Sequence, residues 1–155
     1  MPTATGRAFD AFARAGLASH PPRRMVHVEV GANDGAWTRS AITRLCSPAA
    51  GGPSPASEPH LFVIVEAQQQ YASRLRELSH NISSAPSTRC RVDFLAAAAW
   101  HYDGNVSFSS TRDHRGAHVG DESTAKTKAR TLVPCVDFGG YLKRTLRPSD
   151  LVFFK

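Results

Sequence analysis

Residues 26–35 read Val-His-Val-Glu-Val-Gly-Ala-Asn-Asp-Gly, and this segment organises the rest of the chain. Its three valines alternate with other residues, which favours a strand in a pleated sheet. The strand should end at Gly31, because the Asn-Asp-Gly cluster that follows readily forms tight turns with positive φ angles. After Gly35 the apolar residues take helical spacing, so we predict a strand, a glycine turn and a helix at about 36–46. Such a turn lets a ligand approach the backbone closely, and Glu29 adds an acid near the strand end.

Length and composition fit one globular domain, with 155 residues of which 41% are hydrophobic and 21% charged. No apolar run approaches the length of a membrane span. Charged residues interrupt the apolar residues near the N-terminus, so no signal peptide is predicted there. The three cysteines, Cys46, Cys90 and Cys135, are odd in number and lack metal-ligand spacing. We therefore expect reduced, partly buried thiols in a reducing compartment, the cytoplasm.

The net charge of +6 is concentrated in the last third of the chain. The residues that carry it there are Lys126, Lys128, Arg130, Lys143, Arg144 and Arg147. No aromatic residues interleave with them to form a stacking platform for bases. A solvated basic surface is therefore favoured over a nucleic-acid interface.

Apolar patterns along the chain predict alternating helices and strands. A leading helix is expected at residues 5–18, and a loop at 47–59, where four prolines and two glycines fall within thirteen residues. The continuous apolar run 61–65 indicates a strand buried on both faces of a parallel sheet. A helix should follow it and close near 80–81. Further short strands are expected at 91–95, 106–108, 131–136 and 151–154, with a short helix starting at Phe138.

This alternation predicts an α/β fold with a mostly parallel sheet. Ligands of such sheets bind at the carboxyl ends of the strands, near the point where the strand order reverses. Residues 29–35, Glu66 and the small-residue run 96–99 all fall at predicted carboxyl ends. We expect them to converge on one site.

The motifs that are missing narrow the choice of ligand. A dinucleotide fingerprint needs glycine where this chain has Asn33, and no phosphate-binding loop of the G-x-x-x-x-G-K-[ST] type occurs. The carboxylate of Glu66 has the geometry to accept hydrogen bonds from both hydroxyls of a ribose. A nucleoside without phosphates is therefore predicted, and a sulfonium nucleoside fits an acidic, glycine-walled site.

Five motifs, in this order, resemble the FkbM-type methyltransferases. They are Val28-Glu29-Val30-Gly31-Ala32-Asn33-Asp34-Gly35, Val65-Glu66-Ala67, Ala98-Ala99-Trp100-His101-Tyr102-Asp103-Gly104, Val133-Pro134-Cys135-Val136-Asp137-Phe138 and Asp150-Leu151-Val152-Phe153-Phe154-Lys155. The first motif is shared by many S-adenosylmethionine enzymes, whereas the ordered set is more specific. The resemblance covers residues 25–155.

The resemblance implies a class I methyltransferase fold and S-adenosylmethionine as methyl donor, with O-methylation of a sugar or natural-product hydroxyl. By the same resemblance Glu66 would hold the ribose, and Ala98 with its neighbours would lie near the adenine. The residues that would line the methionine part of the cofactor are Glu29, Gly31, Ala32, Asn33 and Gly35. The expected partner is a small-molecule or glycan hydroxyl acceptor.

In the family, an acidic D-x-E-G stretch follows the lysine that matches Lys155, the last residue here. We therefore expect a Rossmann-like, doubly wound sheet truncated after its fourth core strand. Residues 1–24 would form a leading helix and linker, and 25–155 the cofactor-binding part. An open sheet edge at 151–154 would then favour self-association.

Two other functions stay open. One is a catalytically incomplete S-adenosylmethionine-binding fragment or pseudoenzyme, which the expected truncation favours. The other, ranked last, is a nucleic-acid methyltransferase, supported only by basic charge because the acidic-Pro-Pro-aromatic motif is absent.

Several polar residues are candidates for catalytic or metal-binding groups. His114-x-x-x-His118 has metal-ligand spacing, but Gly116 and Gly120 disfavour the helix it needs, so no metal site is predicted. The candidate general bases are His101, Asp103, His114 and His118. Their spacing favours none of them, so the catalytic residue stays unassigned. Asp34 is predicted to serve the turn or cap the helix, and Asp93 to face solvent.

Overall fold

A computed structural model describes residues 22–46, 56, 58–85, 88–109, 118–119 and 130–155. The predicted leading helix at 5–18 lies outside these residues, as does most of the predicted loop at 47–59. His114 and the side chain of His118 also lie outside them. The elements, in chain order, are β1 (Arg24–Val30), α1 (Ala36–Cys46), β2 (His60–Val65), α2 (Gln69–Ser84), β3 (Cys90–Leu95), β4 (Ala98–Trp100), β5 (Gly104–Ser109), β6 (His118–Val119), β7 (Arg130–Asp137), α3 (Phe138–Thr145) and β8 (Asp150–Phe154).

The central sheet contains four strands in the order β3-β2-β1-β8, and every neighbouring pair is parallel. Val28 of β1 lies opposite Val63 of β2, and Val26 lies opposite Val152 of β8. All six residues of β2 are buried, as a continuous apolar run in a parallel sheet predicts. The predicted mixed α/β fold with a mostly parallel sheet is confirmed.

Helices cover the central sheet on both faces. On one face Phe62, Ile64 and the fully buried Leu75 form a core with α1 and α2. On the other face Val28 and Val63 pack against residues of α3, including Tyr141. Fully burying a side chain of this size contributes about 1.5–3 kcal/mol, so these two layers account for much of the fold's stability.

A second sheet, with the order β4-β7-β5-β6, follows the end of β3. Strand β7 is parallel to β4 and antiparallel to β5. Its core contains the buried residues Val106, Val133 and Cys135. The sequence predicted strands at 106–108 and 131–136 but not this separate sheet, because strand periodicity carries no information about which strands pair.

The expectation of three reduced thiols is wrong for two of the cysteines. Cys46 at the end of α1 and Cys90 at the start of β3 form a disulfide, with their Cα atoms 5.8 Å apart. Cys135 is a buried free thiol. Spacing along the chain did not indicate the pair, since it joins residues whose separation is 44. Disulfides are rare in reducing compartments, so this bond weighs against the expected cytoplasmic location, which stays a prediction.

Strand β8 is fixed to β1 at its amino end by an ion pair. The Arg24 guanidinium donates to both carboxylate oxygens of Asp150, at 3.2 and 2.6 Å, and the Asp150 side chain is fully enclosed. Burial by itself raises the pKa of Asp150, but hydrogen bonds from Arg24 and from the Arg147 N–H outweigh burial and lower it. The carboxylate is therefore charged and paired at neutral pH.

The far edge of β8 pairs with no other strand in the part of the chain that the structure describes. Phe154 is 62% exposed there. Self-association through this edge stays a prediction. No helix within the described ranges is long and apolar enough to cross a membrane.

Candidate functional site

The turn between β1 and α1 uses positive φ angles at three of five residues. They are Gly31 (+78°), Asn33 (+51°) and Gly35 (+72°), as the glycine and asparagine cluster predicted. The two glycines serve different purposes. A Cβ at Gly35 would lie 2.7 Å from Cδ2 of Leu75, so the turn packs directly on α2. A Cβ at Gly31 would meet nothing within 4 Å, so the backbone beside the strand end borders open space.

Glu66, the residue that follows β2, holds this turn in place. Its Oε2 accepts a hydrogen bond from the Asn33 N–H at 2.7 Å, and its Oε1 accepts one from the Gln68 N–H at 2.8 Å. Only 3% of the residue is exposed. The two N–H donors satisfy the buried charge, since hydrogen bonds to an ionised acceptor are the strong kind. Two residues that the sequence predicted to share a site, Asn33 and Glu66, are therefore in direct contact.

Asp34 has the turn role that was predicted for it. Its Oδ1 accepts a hydrogen bond from the N–H of Ala36, the first residue of α1, at 3.0 Å. The Arg39 guanidinium donates to the Asp34 carbonyl oxygen at 2.6 Å. Asp34 therefore stabilises the start of the helix and its connection to the turn.

Glu29 lies on the face of β1 that α1 covers, and its carboxylate is held by two donors. The hydroxyl of Thr38, in α1, donates to Oε2, and Nζ of Lys155 donates to Oε1 at 2.7 Å. The Glu29 side chain is 2% exposed, whereas that of Lys155 is 49% exposed. Nζ of Lys155 also lies 5.5 Å from the centroid of the Trp37 ring, within range of a cation–π contact. A buried carboxylate and a half-exposed ammonium thus form an ion pair at the carboxyl ends of the paired strands β1 and β8.

A buried histidine pair, which the sequence patterns did not predict, lies next to Glu29 on the same face. Nε2 of His27 is 3.3 Å from Nδ1 of His60, and the His27 ring stacks between Phe62 and Phe153 with centroids 4.5 and 5.3 Å away. Burial, with a smaller contribution from the charge of His60, lowers the pKa of His27 to about 3. His27 is therefore neutral at physiological pH. Its position between Val26 and Val28 in the apolar strand is the sequence feature that could have predicted a buried histidine.

Most of the predicted site residues meet at one edge of the central sheet. Glu29 lies one residue before the end of β1, and Gly31 and Asn33 lie in the turn that follows. The N–H of Gly31 donates to the Val65 carbonyl oxygen at 2.9 Å, next to Glu66. Ala32 is buried within the same turn. Ala98 instead lies in the core of the second sheet, where it packs with Ala67, the residue after Glu66. The structure therefore places Ala98 in contact with the residue that follows Glu66, but not in the turn.

Of the candidate bases, His101 and Asp103 fall within the described residues, in the turn after β4. Oδ1 of Asp103 accepts a hydrogen bond from the N–H of Asp137 at 2.9 Å, so this carboxylate joins the turn between β4 and β5 to the end of β7. His101 is exposed, and its ring lies 5.1 Å from that of Trp100. Asp93, predicted to face solvent, is partly buried and accepts hydrogen bonds from Arg91 and from the Tyr141 hydroxyl. None of these contacts identifies a catalytic base.

Comparison with protein-family models, with curated proteins and with solved structures gave no match.

Proposed function

We propose that the chain is the cofactor-binding part of an S-adenosylmethionine-dependent methyltransferase. Its acceptor would be a hydroxyl of a sugar or of another small natural product, as the resemblance to the FkbM-type family implies. The observation that carries the proposal is the contact between the glycine turn after β1 and the acid after β2, Asn33 N–H to Glu66 Oε2 at 2.7 Å. This contact lies at the carboxyl edge of a parallel sheet, where α/β folds bind ligands.

The residues at this edge fit the chemical groups of S-adenosylmethionine. Each carboxylate oxygen of Glu66 accepts one backbone hydrogen bond and keeps a second lone pair, which suits a ribose hydroxyl. Because only 3% of Glu66 is exposed, a ribose would reach these lone pairs when neighbouring side chains move aside. Glu29 already accepts a hydrogen bond from an alkylammonium, that of Lys155, so the ammonium of a methionine group is compatible with it. Open space beside Gly31 leaves room for a ligand against the backbone.

In this proposal the protein binds and aligns its two substrates. The bound cofactor supplies an electrophilic methyl group on a sulfonium. Glu66 and the turn it holds would orient the nucleoside, and Glu29 would orient the amino-acid end. Alignment of donor and acceptor can provide a large share of the rate, because it converts a bimolecular step into an effectively unimolecular one.

Binding of S-adenosylhomocysteine, measured by calorimetry, tests the proposal. Glu66→Ala should weaken binding by about 1.5–3 kcal/mol, roughly ten- to 150-fold, because a hydrogen bond to a charged group is lost. Glu66→Gln, which keeps the shape and removes the charge, should weaken binding less. Glu77→Gln is the matched control, since Glu77 is an exposed carboxylate on α2.

Turnover with a panel of hydroxyl acceptors separates binding from catalysis. Methyl transfer would support an enzyme, and binding without transfer would support a catalytically incomplete cofactor-binding chain. No binding by the wild-type protein would refute the proposal. Unchanged affinity in folded Glu66→Ala would remove Glu66 from the site.

A further inference from the structure

The carboxylate of Glu29 is accessible to a ligand only if Lys155 moves. Its side chain is 2% exposed, and Thr38 and Lys155 each contact one of its oxygens. Within the described residues Lys155 is the one cationic side chain that pairs with it. A ligand ammonium that binds Glu29 would therefore occupy the place that the Lys155 ammonium occupies.

The two partners of this ion pair differ in how readily they separate. Lys155 is half-exposed, so its ammonium can return to water at little cost. Glu29 is enclosed, and a buried charge that loses its partner is strongly destabilising. Glu29 thus favours having a cation at all times, and one cation should leave as another arrives. The Trp37 ring beside Nζ keeps the lysine head group near the site in the closed arrangement.

We propose that Lys155 is a displaceable gate over Glu29, so that it determines which ligands use this carboxylate. A ligand with an ammonium group exchanges with Lys155, whereas a ligand without one leaves the ion pair closed. The proposal rests on the proposed function, because it assumes that the ligand is a nucleoside that carries an α-amino acid. The alternative is a permanent strut, in which the Glu29–Lys155 pair fixes β8 to β1 as Arg24 and Asp150 do at the other end.

Two probes with the same nucleoside test the gate by calorimetry. S-adenosylhomocysteine carries the α-amino acid, and 5′-methylthioadenosine lacks it. Lys155→Met removes the competing ammonium at similar side-chain length and should tighten S-adenosylhomocysteine binding by tenfold or more. Binding of 5′-methylthioadenosine should change less than twofold. Lys143→Met is the matched control, since Lys143 is an exposed lysine on α3, across the sheet.

A second variant keeps the test decisive if Lys155→Met does not fold. Lys155→Arg retains the charge and adds a planar fork that grips a carboxylate at two points, so it should be harder to displace. It should weaken S-adenosylhomocysteine binding several-fold and leave 5′-methylthioadenosine unaffected.

The outcomes distinguish the gate from the proposed function. If 5′-methylthioadenosine binds and neither substitution changes the affinity for S-adenosylhomocysteine, the strut replaces the gate. Weaker S-adenosylhomocysteine binding in Lys155→Met would also overturn the gate, because it would make Lys155 a direct ligand contact. If neither probe binds any variant, the nucleoside site itself fails, and the gate fails with it.

Discussion

The disulfide between Cys46 and Cys90 joins the end of α1 to the start of β3, over a sequence separation of 44 residues. Such a bond stabilises the fold mainly by restricting the unfolded chain. The chain-entropy relation for a loop of this length gives about 4 kcal/mol at 25 °C. Typical domains are stable by about 5–15 kcal/mol, so reduction should remove a large part of the total.

Urea unfolding, followed by circular dichroism with and without a thiol reductant, measures this contribution. With a slope of about 1–3 kcal/mol per molar urea, a loss of about 4 kcal/mol moves the midpoint by roughly 1–4 M. Cys46→Ala combined with Cys90→Ala should unfold at the lower midpoint and no longer respond to reductant. Cys135→Ala is the matched control, because it removes a buried sulfur that is not in the disulfide. Its midpoint should still fall on reduction.

Two results would refute this reasoning. One is an unchanged midpoint when the wild-type protein is reduced. The other is a titration of the unreduced protein, unfolded in denaturant, that finds three free thiols. Either would return Cys46 and Cys90 to the reduced state that the sequence predicted.

Three further predictions concern stability, each measured by urea unfolding. Burial holds the pKa of His27 at about 3, so between pH 7 and pH 5 the unfolded chain binds a proton at this residue and the folded chain does not. The free energy of unfolding should therefore fall by about 2 kcal/mol from pH 7 to pH 5, and His27→Phe should make this fall smaller. Gly35→Ala should lower the free energy of unfolding by about 2–4 kcal/mol, because the positive φ strains the alanine and its Cβ would collide with Leu75. Gly31→Ala has the same φ strain but open space beside it, so it should cost about 1–2 kcal/mol, and equal losses for the two variants would contradict this difference. Asp150→Asn should cost about 3–5 kcal/mol, because it leaves the mostly buried Arg24 without its counter-charge, and a loss below 1 kcal/mol would show that the pair is dispensable.

Local patterns predicted the elements of the central sheet closely. The alternating valines of β1, the apolar run of β2 and the helix at 36–46 all have the predicted type and nearly the predicted bounds. The glycine turn was also predicted, since positive φ is a property of individual residues. These features depend on neighbours within a few positions, so the sequence alone expresses them.

The contacts that the site residues make could not be predicted from local sequence patterns. Glu29 was predicted to line a cofactor site, and the structure encloses it between Thr38 and Lys155, which is 126 residues away. The contact between His27 and His60 and the Cys46–Cys90 disulfide also join distant positions. Each depends on strand order and on the register between strands. A shift of one residue would send every side chain to the opposite face.

What the sequence by itself determined is therefore the strands and helices of the central sheet, the turn after β1 and the carboxylates expected beside it. Only the tertiary structure decided that Glu66 holds the turn through the Asn33 N–H, that Lys155 covers Glu29 and that a second sheet follows β3. The physical reason is the distance along the chain over which each kind of interaction acts. Periodicity and φ preference act within a few residues of the chain, whereas ion pairs, disulfides and sheet order arise when distant segments pack together.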